Sequence, residues 1–208
     1  MPGKFLELTV SDSVRKAQEH YFGCSQEIPP QPEREPLTDE EIQFIQSRDS
    51  FYMATVTESG WPYIQHRGGA HGFLRVLGPT QLAFADYKGN RQLLSTGNLA
   101  INDHVALFLM DYPRRERLKI LGHARVEDAR GHPELVSQFA EPDKRGIVER
   151  LFFIEVVSFD WNCPKYITPR YSAAEMEQAL APLRRRITEL EAQLKNQTKH
   201  EPRAPLHI

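Results

Sequence analysis

Residues 85–92, ADYKGNRQ, hold the densest set of chemistry-bearing side chains in the chain. An apolar β-type run ends there, Gly89 permits a tight backbone path, and a helix begins with Asn90 and Arg91 in its first turn. Free N–H groups at a helix start and a guanidinium directed at one place suit a phosphate. Lys88, Gly89 and Asn90 alone also read as an ordinary turn. Two further stretches add to the pattern. Residues 65–69, QHRGG, end an apolar strand with a cation and two glycines, which lets a ligand approach the backbone closely at His66, Arg67 and Gly68. Arg117 opens the run 118–121 before Gly122, and Asn98 can hold a loop from the side. A phosphate prefers bidentate arginine partners, so Arg67, Arg91 and Arg117 gathered by one fold would serve it.

The remaining reactive residues form no comparable set. His66, His71 and His123 are irregularly spaced and match no metal motif, so no metal is expected. Cys24 and Cys163 cannot build a disulfide scaffold or a zinc site, and Cys163 reads as a small packing residue. The basic runs 114–117 and 184–186 are interleaved with or flanked by glutamates and read as solvated faces, Arg117 excepted.

These residues must be positioned by a chain of 208 residues with 26 Lys+Arg against 28 Asp+Glu, a net charge of -2, which offers no electrostatic case for wrapping nucleic acid. No apolar run approaches a membrane span and the first residues lack the core of a signal peptide, so a cytoplasmic protein is expected. Residues 11–22 open with capping residues and stop at Gly23, which predicts a short helix, and the prolines 29, 30, 32 and 36 make a stiff connector. Thr38 and Glu41 form a capping box for a helix whose buried stripe contains Ile42 and Ile45. From Phe51 the period becomes extended. Strands are predicted at 51–57, 61–67, 72–77, 81–85, 104–110, 118–126 and 150–159, with a short helix within 89–101 that turns Leu93, Leu94 and Leu99 inward and another at 133–139. Such short hairpins with few crossover helices describe a mainly β protein with flanking helices, a small antiparallel barrel. Beyond residue 172, Met176, Leu180, Leu183, Ile187, Leu190 and Leu194 make a short heptad seam. It reads as a helix packing on its own barrel or on a sister subunit, with Pro182 as a kink or as the start of a second helix. The expected organisation is an N-terminal helical arm and connector (1–36), a barrel domain (37–171) and a C-terminal helix and tail (172–208).

Over residues 37–170 the sequence resembles the FMN-binding split β-barrel proteins similar to pyridoxamine 5'-phosphate oxidase. The resemblance is carried by the order of the capping helix, MATVT at 53–57, GWPY at 60–63, QHR at 65–67, GF at 72–73, FADYKGNR at 84–91, GNL at 97–99, Asn102, VALF at 105–108, DY at 111–112 and RLKILG at 117–122. It implies a split antiparallel barrel and a homodimer with FMN in clefts at the subunit interface; FAD and a deazaflavin are the alternatives. Arg67 then takes the place of a phosphate-binding arginine, Phe84, Ala85 and Asp86 lie along the flavin, and Gly89, Asn90 and Arg91 follow as the polar and basic turn. Arg117 reaches the ring or ribityl chain, and Trp161 borders the flavin from the other side. The family's pattern for binding pyridoxamine phosphate is absent from the C-terminal region. The implied function is a flavoprotein oxidoreductase that moves hydride or electrons between a nicotinamide or partner reductase and a small acceptor, with no catalytic residue assigned. The alternative is a carrier that holds flavin or haem without turnover.

Overall fold

The computed structural model describes residues 3–89, 91–139, 146–161 and 164–200, with side chains as far as Lys195. The chain divides into two compact units, 1–167 and 168–208. In the first, seven strands form one antiparallel sheet: β1 (Ser50–Val56), β2 (Pro62–Gly68), β3 (Arg75–Gly78), β4 (Gln81–Tyr87), β5 (His104–Asp111), β6 (Glu116–Asp128) and β7 (Val148–Trp161). Their order is β2-β1-β5-β6-β7-β4-β3. The sheet ends at β2 and β3, which do not pair with one another among the described residues, so the barrel stays split. Among the described residues five α-helices and a short 3-10 helix (Ala129–Gly131) accompany it: α1 (Gly3–Thr9), α2 (Asp12–Phe22), α3 (Asp39–Gln46), α4 (Leu94–Ile101) and α5 (Pro133–Phe139).

Alternation along the strands builds the interior. Phe51 and Met53 of β1, Leu107 and Leu109 of β5, Leu118 and Ile120 of β6, and Phe152 and Ile154 of β7 are all turned into one core, as a two-residue period demands. Phe84 stacks on Phe152 with centroids 4.8 Å apart and meets Phe51 edge-on. Thr38 and Glu41 do form the capping box of α3, which buries Phe44 and Ile45 against this core. A second, smaller cluster of Ala83, Leu151 and Phe139 lies under α5. The long β6 and β7 meet over their length with one register shift at Gly122. A Cβ on Gly122 would stand 2.4 Å from the carbonyl oxygen of Glu155, so only glycine allows the two strands to close there.

The helix predicted over 11–22 is α2, with Ser11 accepting from the Val14 N–H and Gly23 ending it in the left-handed region. Three expectations need correction. The strand predicted at 72–77 begins only at Arg75, because Gly72 turns the chain at φ 75° and sends Phe73 and Leu74 into the core. Leu93 and Leu94 are not inward: Leu93 takes a left-handed backbone, φ 55°, before α4, and both side chains are left about half exposed while Leu99 alone is buried. Residues 3–9 form a helix, α1, that the sequence reading left out; it buries Phe5, and Glu35 and Leu37 of the following connector donate to the carbonyls of Val157 and Pro79. The N-terminal arm therefore belongs to the barrel unit.

The second unit contains α6 (Ala173–His200), a single helix with Pro182 inside it. Ser172 and Glu175 cap it reciprocally through each other's backbone N–H. Every member of its seam, from Met176 to Leu194, is at least 36% exposed. None of the described helices is long and apolar enough to cross a membrane.

Candidate functional site

Three strand ends meet at one corner of the barrel. Along β2 the alternation turns Tyr63, Gln65 and Arg67 one way and Ile64 and His66 the other. The end of β4 presents Asp86, and the register of β4 against β7 sets Arg150 opposite it. Arg67 Nη1 lies 2.6 Å from Asp86 Oδ1, and Arg150 holds the other carboxylate oxygen through Nε and Nη2, each at 2.8 Å. One carboxylate therefore accepts from two guanidiniums. All three side chains are at most 17% exposed, where such charge-assisted bonds are strongest.

Arg67 is the most constrained of them. Its guanidinium lies over the rings of Phe152 and Phe84, at 5.0 and 5.5 Å from their centroids. Burial pulls its pKa below the usual arginine value, and the Asp86 carboxylate opposes that pull. Its Nε is fully buried without a hydrogen-bond partner. A buried cation with a donor to spare is ready to receive an acceptor.

The connection from β4 to α4 closes the corner. Gly89, Arg91, Leu93, Leu94, Ser95 and Thr96 line a cleft of about 250 Å³ together with Arg67, Asp86 and Arg150. Arg91 and Leu93 both have positive φ, 63° and 55°, and each such non-glycine residue costs on the order of 1–3 kcal/mol unless its surroundings hold it. Ser95 Oγ donates to Gln65 Oε1 at 3.0 Å, and Asn98 Nδ2 donates to the buried Thr55 Oγ1 at 2.8 Å, which pins α4 to β1. Among the described residues the cleft wall carries three guanidiniums against one carboxylate, and Arg150 Nη1 also pairs with Glu149 at 3.2 Å. A wider cleft of about 990 Å³ shares Arg91, Leu93, Thr96 and Arg150 and runs on along Val126 and Val148. Together the two offer a narrow cationic end and a roomier, more apolar extension.

Of the residues singled out from the sequence, Arg67, Asp86, Gly89 and Arg91 line this cleft. Others sit elsewhere. Phe84 is buried in the core, and Ala85 packs beside the second cluster. Asn98 lies beneath the cleft rather than in its wall, and Gly68 ends β2. His66 faces the outer side of the sheet, edge-on to Tyr52, because adjacent residues of a strand point to opposite faces. The expectation that Arg117 joins Arg67 and Arg91 is corrected: Arg117 pairs with Met110 near the β5–β6 turn, and its guanidinium lies 5.7 Å from the Phe108 centroid on the outer face. Its Nε is also buried without a partner. Trp161 donates from Nε1 to Glu41 Oε1 at 2.6 Å and packs edge-on to Phe44, at the α3 side of the barrel. Asn90, like Cys163, lies outside the described residues.

Sequence reasoning missed Gln65 and Ser95 as a linked pair in the wall, and above all Arg150. Its position at the start of a long strand carried no signal, since only the β4–β7 register sets it against Asp86.

Residues 37–153 match the family model for pyridoxamine 5'-phosphate oxidase. No curated protein matches the chain. Among solved structures it is similar to a putative pyridoxamine 5'-phosphate oxidase from Lactobacillus delbrueckii, 20% identical over 60% of this chain and 93% of that one with a TM-score of 0.47. It is also similar to HupZ of Group A Streptococcus, 12% identical over 65% and 100% of the two chains with a TM-score of 0.48. An FMN-binding protein from Syntrophomonas wolfei is 10% identical over 60% and 87%, with a TM-score of 0.41.

Proposed function

Because the chain belongs to the pyridoxamine 5'-phosphate oxidase family, we propose that it is an FMN-binding flavoprotein that works as an oxidoreductase, as a homodimer in the cytoplasm. The observation that carries the reading is the cationic corner, where Arg67 and Arg150 share the Asp86 carboxylate and Arg91 lines the same cleft. The fit to a phosphomonoester rests on the three guanidiniums set against one carboxylate among the described lining residues. Arg67 and Arg150 are already oriented by Asp86, so little side-chain freedom is lost when a phosphate enters. Arg91 makes no ion pair with another described residue and completes the clamp from the β4–α4 connection. Ser95 and Gln65 add neutral polar groups to the wall, and the adjoining cleft leaves volume for the rest of a mononucleotide.

When bound, the flavin supplies the hydride or electron chemistry itself. The chain's share is to bind, orient and exclude water. Among the described residues of the cleft wall the one carboxylate, Asp86, is engaged by two arginines. A nicotinamide or a partner reductase is the proposed donor and a small molecule the acceptor.

The homodimer is supported by the outer face of the β2-β1-β5-β6 half of the sheet. Tyr52, Ala54, Ile64, Ala106, Phe108 and Leu121 line an apolar hollow of about 520 Å³ there, and Ile64 is 64% exposed. A second copy laid on this face would cover the apolar surface and would carry Arg117 toward another chain. The test has two arms. Fluorescence titration should give tight FMN and weak riboflavin binding, and equal affinity for the two would remove the phosphate clamp. Anaerobic bleaching of the bound flavin by NADPH, NADH or a reductase, followed by recovery with an acceptor, distinguishes an oxidoreductase from a carrier, which only dithionite would bleach.

A further inference from the structure

The β5–β6 hairpin brings together three metal-ligating side chains that lie far from any sequence motif. His104 and His123 are register partners across the two strands, with ring centroids 4.7 Å apart. Asp103 precedes His104, and its Oδ1 lies 3.0 Å from His123 Nδ1 and 3.3 Å from His104 Nδ1. One atom from each of the three lies within 4.8 Å of the other two. Ligands held about 2.0–2.2 Å from a tetrahedral ion stand about 3.3–3.6 Å from each other, so the 3.3 Å Asp103–His104 separation is at that edge length and the 3.0 Å Asp103–His123 separation is a little short of it.

The scaffold beneath the cluster is fixed. The carbonyl of Asp103 accepts from the Ala124 N–H at 2.7 Å, which ties the carboxylate's backbone to the strand that carries His123. The Asn102 N–H in turn donates to Asn98 O at the end of α4. Asn102 Oδ1 accepts from the His104 N–H at 3.1 Å and lies 2.9 Å from His104 Nδ1, a fourth donor atom beside the cluster. His123 Nδ1 is hydrogen-bonded to Asp103 Oδ1, while His104 Nδ1 is hydrogen-bonded to Asn102 Oδ1 and lies within ion-pair distance of Asp103. The three side chains are 42–72% exposed, so an ion can enter and keep water in its remaining positions.

We propose that Asp103, His104 and His123 form a binding site for a divalent transition ion of borderline softness, zinc in the first instance. Two imidazoles and one carboxylate are a donor set for such ions rather than for calcium or magnesium, which prefer oxygen throughout. Asp103 also lines the wide extension of the cationic cleft, whereas His104 and His123 line a separate hollow with Ala106 and Leu121 on the outer face of the sheet. The site does not depend on the flavin reading.

The experiment is a calorimetric zinc titration of the full-length protein after treatment with a chelator. The parent should bind one zinc per chain. His104→Ala, His123→Ala and Asp103→Asn should each weaken it by at least the roughly 10- to 100-fold that loss of an outer-shell partner costs in known metal sites. His132→Ala, which removes a histidine paired with Glu127 elsewhere on the surface, should leave the affinity unchanged. Histidine side-chain NMR of the unmodified protein gives the same answer without mutation, since zinc should shift the His104 and His123 ring signals selectively. Equal affinity in parent and cluster variants, no saturable binding by the parent, or shifts confined to other histidines would each overturn the site.

Discussion

Strand β2 faces two environments. Its inner side sets Gln65 and Arg67 into a corner where polar atoms are engaged: Gln65 by Ser95, Arg67 by Asp86, and Asp86 in turn by Arg150. Its outer side sets Ile64 into an apolar hollow that the described chain leaves open. The inner corner is the proposed site of a small anion, and its arginines Arg67 and Arg150 are already held by Asp86. The outer face gains stability only from a macromolecular partner, because exposed apolar area is relieved by burial and by nothing a small ion can do. The proposed ligand and the proposed partner would then lie on opposite faces of the sheet at this strand, which differs from the interface cleft that the family resemblance implies.

The largest expected effect comes from breaking the outer face. Ile64→Asp would bury an uncompensated charge in the proposed dimer, at about 3–5 kcal/mol, so light scattering at micromolar concentration should report a 24 kDa chain where the parent is twice that mass. Its circular dichroism should stay that of the parent, since Ile64 is exposed in the single chain. A parent that is already monomeric would sink the dimer.

Next is the inner corner. Asp86→Ala leaves Arg67 and Arg150 facing each other without the carboxylate between them, and urea denaturation should show a loss of about 3 kcal/mol. A midpoint unchanged from the parent would mean the three-residue network contributes nothing to the fold.

Arg91→Ala separates binding from stability. Arg91 is exposed and unpaired among described residues, so the folding midpoint should hold. FMN should weaken roughly 10- to 150-fold, the effect of one charge-assisted bond of about 1.5–3 kcal/mol. Riboflavin, which lacks the phosphate, should be indifferent. Arg150→Ala should weaken FMN similarly but also lower the midpoint, because Arg150 holds Asp86.

The smallest effect concerns Glu41, 3% exposed between Thr38 and Trp161. Burial pushes its pKa up, but the hydrogen bonds from Thr38 and Trp161 together outweigh it, and the carboxyl sits below its ordinary value. A carboxylate with a depressed folded-state pKa adds its full stability above the unfolded pKa and loses it as pH falls through the folded one. Glu41→Gln should therefore cost about 1–2 kcal/mol at neutral pH, and that difference should shrink as the solution is acidified below the ordinary carboxylate range. Urea melts at several pH values would show this, and a difference constant with pH would contradict it.

Local pattern was enough for much of this molecule. The alternation of Phe51 and Met53 and of Leu107 and Leu109, the capping box at Thr38 and the stop at Gly23 act over a few residues, and each is physically complete within its own segment. The turn 85–92 was legible in part: Gly89 and Arg91 line the cleft, but α4 begins only at Leu94, so Arg91 lies in the connection at φ 63° and not in the first turn of a helix as its sequence suggests. Register could not be read in this way. Only the pairing of β4 with β7 put Arg150 opposite Asp86, and only the pairing of β5 with β6 put His104 opposite His123. The same rule took Arg117 to the outer face and separated His66 from Arg67. A strand's period of two is written in its sequence, whereas the neighbour it meets, and the residue that neighbour offers, depend on how distant strands align, which the folded sheet alone decides.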